Sequence, residues 1–374
     1  MTKPRKIGIL TGGGDAPGLN PAIKWVVKGF LENGKEEREV IGIKEGYKGL
    51  LVGDPTNIAK YFEEFRDDTS CHFVRLTSKN VRPWDRSGGT NLCTSRTNPY
   101  AEKEDKGTRI KRCLDTVNKL GLDCLVTLGG EDTQDVSRKL FEDSVKTIGI
   151  PKTIDKDLIG TDYTLGFSTA LDVIAYCVDN LKNTAGSHNM VFVVETMGRN
   201  AGHLALQGGM ASGAYIILIP EYKYELDRIG NLLKGYKGGE SRYAIVLIAE
   251  GAEDKSSQPI EDVPIDEFGH KRLGGMGIRL GERIQKEFGY ETRAQPLGHL
   301  QRGGNPNAYD RLMGRKFGLA ASNLIEKGIF GRMVCLKGDR IDHIPIAEVG
   351  GKLNLVDVTK EYDIEGYNGT RNIL

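Results

Sequence analysis

Along the chain, short runs of β-branched and other apolar residues alternate with longer stretches whose apolar positions recur every three or four residues. The first pattern is that of a buried strand and the second that of an amphipathic helix. Strands are expected over residues 6–11, 40–44, 124–128, 147–150, 191–195, 215–220, 243–249 and 333–336. Helices are expected over 20–32, 108–120, 132–141, 169–184, 226–237, 274–288 and 311–327. This alternation predicts an α/β fold with a mostly parallel sheet. Residues 55–90 are polar and irregular, and the charged stretch 254–271 interrupts the pattern again, so both read as surface excursions.

At roughly 150 residues per domain, a chain of 374 residues has room for two domains. Lys and Arg total 52 against 51 Asp and Glu, a net charge of +1, so no global field draws the protein to nucleic acid or an acidic membrane. No apolar run reaches the ~18 residues of a membrane span. The opening residues lead into a short apolar strand and not a signal-peptide core, which points to the cytoplasm. The six cysteines form no CxxC pair and predict reduced, mostly buried thiols. Glycine is the outlier: 49 residues, about 13% against the usual ~7%. Many backbone positions must therefore adopt positive φ or approach something closely.

The chemically suggestive clusters each follow a strand, and in open α/β sheets ligands bind beyond the carboxyl ends of strands. After the first strand comes Gly12-Gly13-Gly14-Asp15. Three glycines beside a helix N-terminus can expose backbone N–H groups as a phosphate cradle, or simply make a tight turn. Neither GxGxxG nor GxxxxGKS/T is matched. After residues 124–128 comes Gly129-Gly130-Glu131-Asp132. One carboxylate in a first helical turn answers the macrodipole, but two beside a phosphate site call for a cation such as Mg²⁺. After residues 147–150 comes Lys152-Thr153-Ile154-Asp155-Lys156-Asp157. In an extended segment Thr153, Asp155 and Asp157 share one face, able to take a proton from an alcohol and to hold a metal; a polar loop with capping Asp residues is the alternative. Further along, Arg199, Arg293, His299 and Arg302 together supply the donors that a phosphorylated, hydroxyl-rich substrate requires.

In this order GGGDAPGLN, GGT…SRTNP, GGED, PKTIDKD…GTDYTLGF, VETMGR, IAEG and ETRAQPLGHLQRGG resemble the ATP- and pyrophosphate-dependent phosphofructokinase family, from Lys6 to about Lys327. The resemblance implies a two-domain, doubly wound α/β fold with mostly parallel sheets. Residues 1–166 plus about 303–356 would bind the phosphoryl donor, and 167–302 plus about 357–374 the sugar phosphate. It implies Asp155 as the base for the C1 hydroxyl of fructose 6-phosphate, with Thr153 and Asp157 beside it and Arg199 neutralising charge. Gly13, Gly14 and Arg96 would lie against the donor, and Glu131 would hold Mg²⁺. Met197, Gly198, Arg199, Glu250, Arg293, His299 and Arg302 would form the sugar-phosphate pocket. A homodimer or homotetramer is implied as well.

Two positions bear on the donor. Asp132 stands where ATP users of the family have glycine, and a carboxylate there would repel an α-phosphate by roughly 4 kcal/mol at ~4 Å and an effective dielectric of about 20. Lys152 stands where ATP users tend to have glycine, and its charge suits the end of pyrophosphate. Ser87, in place of an arginine, points the same way. Both substitutions favour pyrophosphate, with ATP as the alternative donor. Met190 replaces an arginine that reaches the distal phosphate of the sugar in the family, so sedoheptulose 7-phosphate is an alternative acceptor. Lys156 replaces a common Asn, and Cys93 a more usual glycine. A dinucleotide oxidoreductase would need an acidic residue ending the second strand, where Lys44-Glu45 stand, and a sugar-phosphate sensor would not need Asp155 and Asp157.

Overall fold

Two parallel cores organise the chain, which the computed structural model describes over residues 4–32, 37–60, 62, 68–101, 106–237, 241–256, 268, 269 and 273–372. The strands are β1 (Lys6–Thr11), β2 (Glu39–Ile43), β3 (Ile58–Ala59), β4 (Phe73–Leu76), β5 (Cys124–Gly129), β6 (Thr147–Pro151), β7 (Val191–Thr196), β8 (Ile216–Leu218), β9 (Ala244–Ala249), β10 (Thr292–Pro296), β11 (Arg332–Lys337) and β12 (Arg340–Pro345), followed by the small pair β13 (Tyr362–Asp363) and β14 (Asn368–Gly369). One sheet has the order β12-β11-β6-β5-β1-β2-β4-β3 and a second the order β10-β7-β9-β8. In the first, β11, β6, β5, β1 and β2 run parallel, while β12 and β4 flank them antiparallel. The second is parallel throughout. Strands β5, β6, β7 and β9 are buried at every residue, as sheets covered by helices on both faces require.

In the first sheet β1 lies between β2 and β5, so the chain winds outward in both directions from it and leaves a crevice at the carboxyl ends. The helices Leu19–Glu32 and Ala308–Glu326 cover one face, packed so closely that a Cβ at Gly318 would lie 2.6 Å from the Ala22 carbonyl. In the second sheet Glu195 of β7 accepts hydrogen bonds from Gly275 N (3.0 Å) and Gly277 N (2.7 Å), which caps the helix Met276–Phe288.

The apolar runs become strands close to where the pattern puts them, and the mostly parallel α/β class is observed. Among the elements not anticipated are β4, β10, β12 and the helices Tyr47–Val52 and His203–Ser212. The stretch 55–90 is not wholly irregular, because it holds β3, β4 and the short turn Trp84–Arg86. Part of the charged stretch 254–271 lies outside the described residues. All six cysteines are free thiols, four of them buried, while Cys93 is exposed.

One buried carboxylate ties the chain between the sheets together. Asp310, wholly buried at the start of the helix Ala308–Glu326, accepts from the Tyr163 hydroxyl (2.7 Å), Gly166 N (2.7 Å), Thr169 N (2.9 Å) and Thr169 Oγ1 (2.6 Å). These donors begin the helix Phe167–His188, which leads from the first sheet to the second. Asp310→Ala strands all four donors in the interior and is expected to cost about 3–5 kcal/mol. Urea unfolding followed by near-UV circular dichroism measures this, and Asp310→Asn, which keeps one acceptor, should cost less.

Candidate active site

The carboxyl ends of β1, β5 and β6 face those of β7 and its neighbours across a cleft. Gly13, Gly14 and Asp15 after β1, Gly130 to Thr133 after β5, and Lys152 to Asp155 with Asp157 after β6 form one wall. Arg199 and Asn200 after β7 and Arg302 form the other, with Arg96 and Leu353 closing the ends. Residues nearly 200 positions apart in sequence thus meet because the strand ends meet.

The glycine loop works differently from an open cradle. The N–H groups of Gly12 and Gly13 donate to Leu128 O (2.9 Å) and Ser95 O (3.0 Å), so neither is available to a ligand. The glycines instead permit close approach: a Cβ at Gly12 would lie 2.6 Å from Thr133 Oγ1, and one at Gly14 would lie 2.6 Å from Arg302 Nη1. The loop turns its carbonyls toward Lys152, whose amine donates to Gly12 O (3.1 Å) and to Gly14 O. That amine is nearly inaccessible, and burial, followed by the charge of Arg302, pushes its pKa down to about 7. The loop therefore holds a buried lysine through its carbonyls.

At the N-terminus of the helix Glu131–Glu142, Asp132 lies 3.6 Å from Arg199 Nη1, an ion pair across the cleft. Glu131 Oε1 accepts from Gly351 N (2.8 Å), and burial raises its pKa.

The segment after β6 is a turn, not the extended strand expected. Lys156 has φ +57° and sends its amine over the Phe167 ring, 5.2 Å from the centroid. Thr153, Asp155 and Asp157 nevertheless all line the cleft. Thr153 Oγ1 accepts from Asp155 N (3.1 Å), and Thr164 Oγ1 donates to Thr153 O (2.6 Å). Asp155 and Asp157 are 6% and 7% exposed, and the Oδ1 atom of each is buried with no hydrogen-bond partner. Burial, and then the charge of Asp155, raises the pKa of Asp157. The unpartnered Asp157 oxygen, with the Glu131 carboxylate lining the same cleft, fits a divalent cation such as Mg²⁺, which is commonly held by one or two carboxylates plus phosphate oxygens and water. Among the described residues no three His, Cys, Asp or Glu side chains gather as a self-sufficient metal cage, consistent with that mode.

On the second wall, Arg199 adopts φ +52° and its N–H donates to Glu250 Oε1 (3.1 Å). Arg302 lies over Gly14 beside Lys152 and Asp155. Met197, Gly198 and Glu250 support this wall without lining the cleft: Met197 N donates to Gln301 Oε1 (3.3 Å), and Gly198 has φ +136°. His299 is exposed in the turn Gly298–Arg302. Arg293 is not brought into the cleft of its own chain. It sits on edge strand β10, 3.4 Å from Glu291, and borders a separate groove along the helix Met276–Phe288. Met190 is packed in the core at the start of β7. Cys93 has φ +53°, a left-handed conformation that accounts for glycine being usual there.

Lining residues given no role from sequence include Asp15, Thr133, Asn200 and Leu353. Asp15 adjoins the triple glycine and Asn200 adjoins Arg199, so adjacency to a motif was a usable signal. Leu353 follows no motif at all.

Residues 6–325 match the family described as phosphofructokinase. The pyrophosphate–fructose 6-phosphate 1-phosphotransferase of Dictyoglomus thermophilum is 44% identical over 359 residues, covering 96% of each chain. The ATP-dependent 6-phosphofructokinase of Chloroflexus aggregans is 39% identical over 359 residues, covering 95% of this chain and 94% of the relative. Among solved structures, phosphofructokinase from Saccharomyces cerevisiae superimposes with a TM-score of 0.74 at 28% identity, covering 92% of this chain and 44% of the yeast chain. With a family match across most of its length, and a strand-end cleft that joins a buried lysine to paired carboxylates, the chain belongs to the phosphofructokinase family and is a phosphotransferase.

Proposed function

We propose that the protein transfers a phosphoryl group from pyrophosphate to the C1 hydroxyl of fructose 6-phosphate, giving fructose 1,6-bisphosphate. The observation that carries the choice of donor is the pairing of Lys152, buried beneath the glycine loop, with Asp132 at the first turn of the facing helix. A lysine held there offers a point charge to a compact polyanion, while the Asp132 carboxylate occupies and repels where a longer donor would continue. The pyrophosphate name carried by the Dictyoglomus relative supports the same reading.

In this reading the donor binds to the part of the chain formed by residues 1–166 and about 303–356, and the sugar phosphate to residues 167–302 and about 357–374. Asp155 takes the proton of the C1 hydroxyl as that oxygen attacks the terminal phosphorus, and the departing phosphate leaves with the bridging oxygen. Arg199 and Arg302 balance the charge spread over the transferring oxygens, and Lys152 that on the departing phosphate. Asp157 and Glu131 would hold Mg²⁺, which supplies charge neutralisation on the phosphate oxygens when bound. Catalysis is then mainly positioning in a site from which bulk water is removed. Sedoheptulose 7-phosphate is the alternative acceptor, because Met190 stands where an arginine would read the distal phosphate of the sugar.

Rates of bisphosphate formation with each donor test the assignment. The parent should use pyrophosphate, with ATP at least about 100-fold poorer in kcat/KM, and Asp132→Gly/Lys152→Gly should lower that ratio by about 100-fold. A parent that prefers ATP overturns it.

Lys152 also couples binding to protons. Its amine, depressed to about 7, is largely uncharged above neutrality, whereas bound pyrophosphate favours the ammonium. Binding should therefore take up a proton, and affinity should weaken as pH rises above 7. At a pH of about 7.5, calorimetry in buffers of different ionisation enthalpy should show roughly 0.7 proton more taken up by the parent than by Lys152→Met.

A further inference from the structure

Beyond the helix Ala308–Glu326 the chain returns to the cleft, where residues 350–356 cross from one wall to the other. At one end Gly351 N donates to Glu131 Oε1 (2.8 Å). In the middle Asn354 grips the turn that carries the paired carboxylates. Its backbone N–H donates to Asp157 O (2.8 Å), and its side-chain amide donates to Lys156 O (3.0 Å). At the other end Val356 N donates to Glu221 Oε1 (2.9 Å), which also accepts from Gly202 N (2.8 Å) just before the helix His203–Ser212.

The gripped turn is a strained one. Lys156 at φ +57° is a non-glycine residue in the left-handed region, a conformation that persists only where the surroundings over-determine it. Asn354 holds the carbonyls of the two successive peptide planes that follow the strained residue, Lys156 O and Asp157 O. The carbonyl of Asn354 is itself held by His203 Nε2 at 3.0 Å. Donation to that carbonyl places the proton on Nε2, which also lies 3.3 Å from the Asn354 side-chain Nδ2, and Nδ1 is buried with no partner. His203 is 4% exposed, on an element of the second sheet's half. Nothing in the local sequence connects it to Asp155.

We propose that Asn354 and His203 are positioning residues for phosphoryl transfer, clamping the Asp155–Asp157 turn and tying its geometry to the second sheet. The proposal rests on the reading of Asp155 and Asp157 as the reacting carboxylates. Asn354→Ala removes the bond to Lys156 O and keeps the backbone donor. His203→Phe keeps a ring and removes the donor, whereas His203→Gln retains one.

Asn354→Ala and His203→Phe should each lower kcat about tenfold or more while KM for both substrates stays within about twofold, and His203→Gln should recover most of the loss. The double variant should be no slower than the slower single variant, because the two side chains act as one unit. Hydrogen–deuterium exchange of residues 153–158 should quicken about tenfold in Asn354→Ala, a readout that needs no turnover. Should the parent transfer nothing from pyrophosphate, the donor reading falls while this exchange still decides the clamp. Unchanged exchange at 153–158, or kcat within about twofold of the parent in both single variants with only the melting temperature lowered, overturns it.

Discussion

Two carboxylates on one strained turn, both almost wholly out of water, are the constraint around which the cleft is arranged. Asp155 and Asp157 repel one another, and each keeps an oxygen with no hydrogen-bond donor. Buried charge of this kind survives only beside opposite charge or in a protonated form. The compensating cations come from separate elements: Lys152 from the end of β6, Arg199 from the end of β7 and Arg302 from the turn after β10. Lys152 is in turn too buried to hold its own charge firmly, which is why its amine needs the carbonyls of Gly12 and Gly14. The charges of the cleft are thus balanced only in part by one another.

Much of the architecture was legible because parallel strands covered on both faces must be continuously apolar, and the strands of the two cores are. What escaped notice had a physical reason. Edge strand β10 reads Thr-Arg-Ala-Gln-Pro, with one fully buried residue, so it carries no apolar run. Strand β12 is a half-exposed edge. The helix His203–Ser212 contains two glycines whose absent side chains admit Ile174 and Ile217, so it forms by packing and not by propensity.

The site shows the same division. The strand-end clusters announced the carboxylates, the lysine and the arginines, since those residue types are placed by short loops directly after strands. The triple glycine serves packing as well: the N–H groups of Gly12 and Gly13 are engaged by Leu128 and Ser95, and the absent side chains of Gly12 and Gly14 admit Thr133 and Arg302. That distinction depends on what packs against the loop, which no local pattern encodes. The same holds for Arg293, which does not line the cleft, and for Asn354, which meets the turn of Asp155 and Asp157 from 198 residues away.

The most direct test of the account is the effect of Asp155→Asn on turnover against its effect on substrate binding. If the orphaned carboxylate oxygen receives the hydroxyl proton, kcat should fall by about 1,000-fold or more, while fructose 6-phosphate binds within about threefold of the parent, because the amide keeps the shape of the turn and loses the base. A variant that retains kcat within about tenfold, or that loses sugar-phosphate binding in step with turnover, would contradict the role given to this carboxylate and the organisation of the cleft around it.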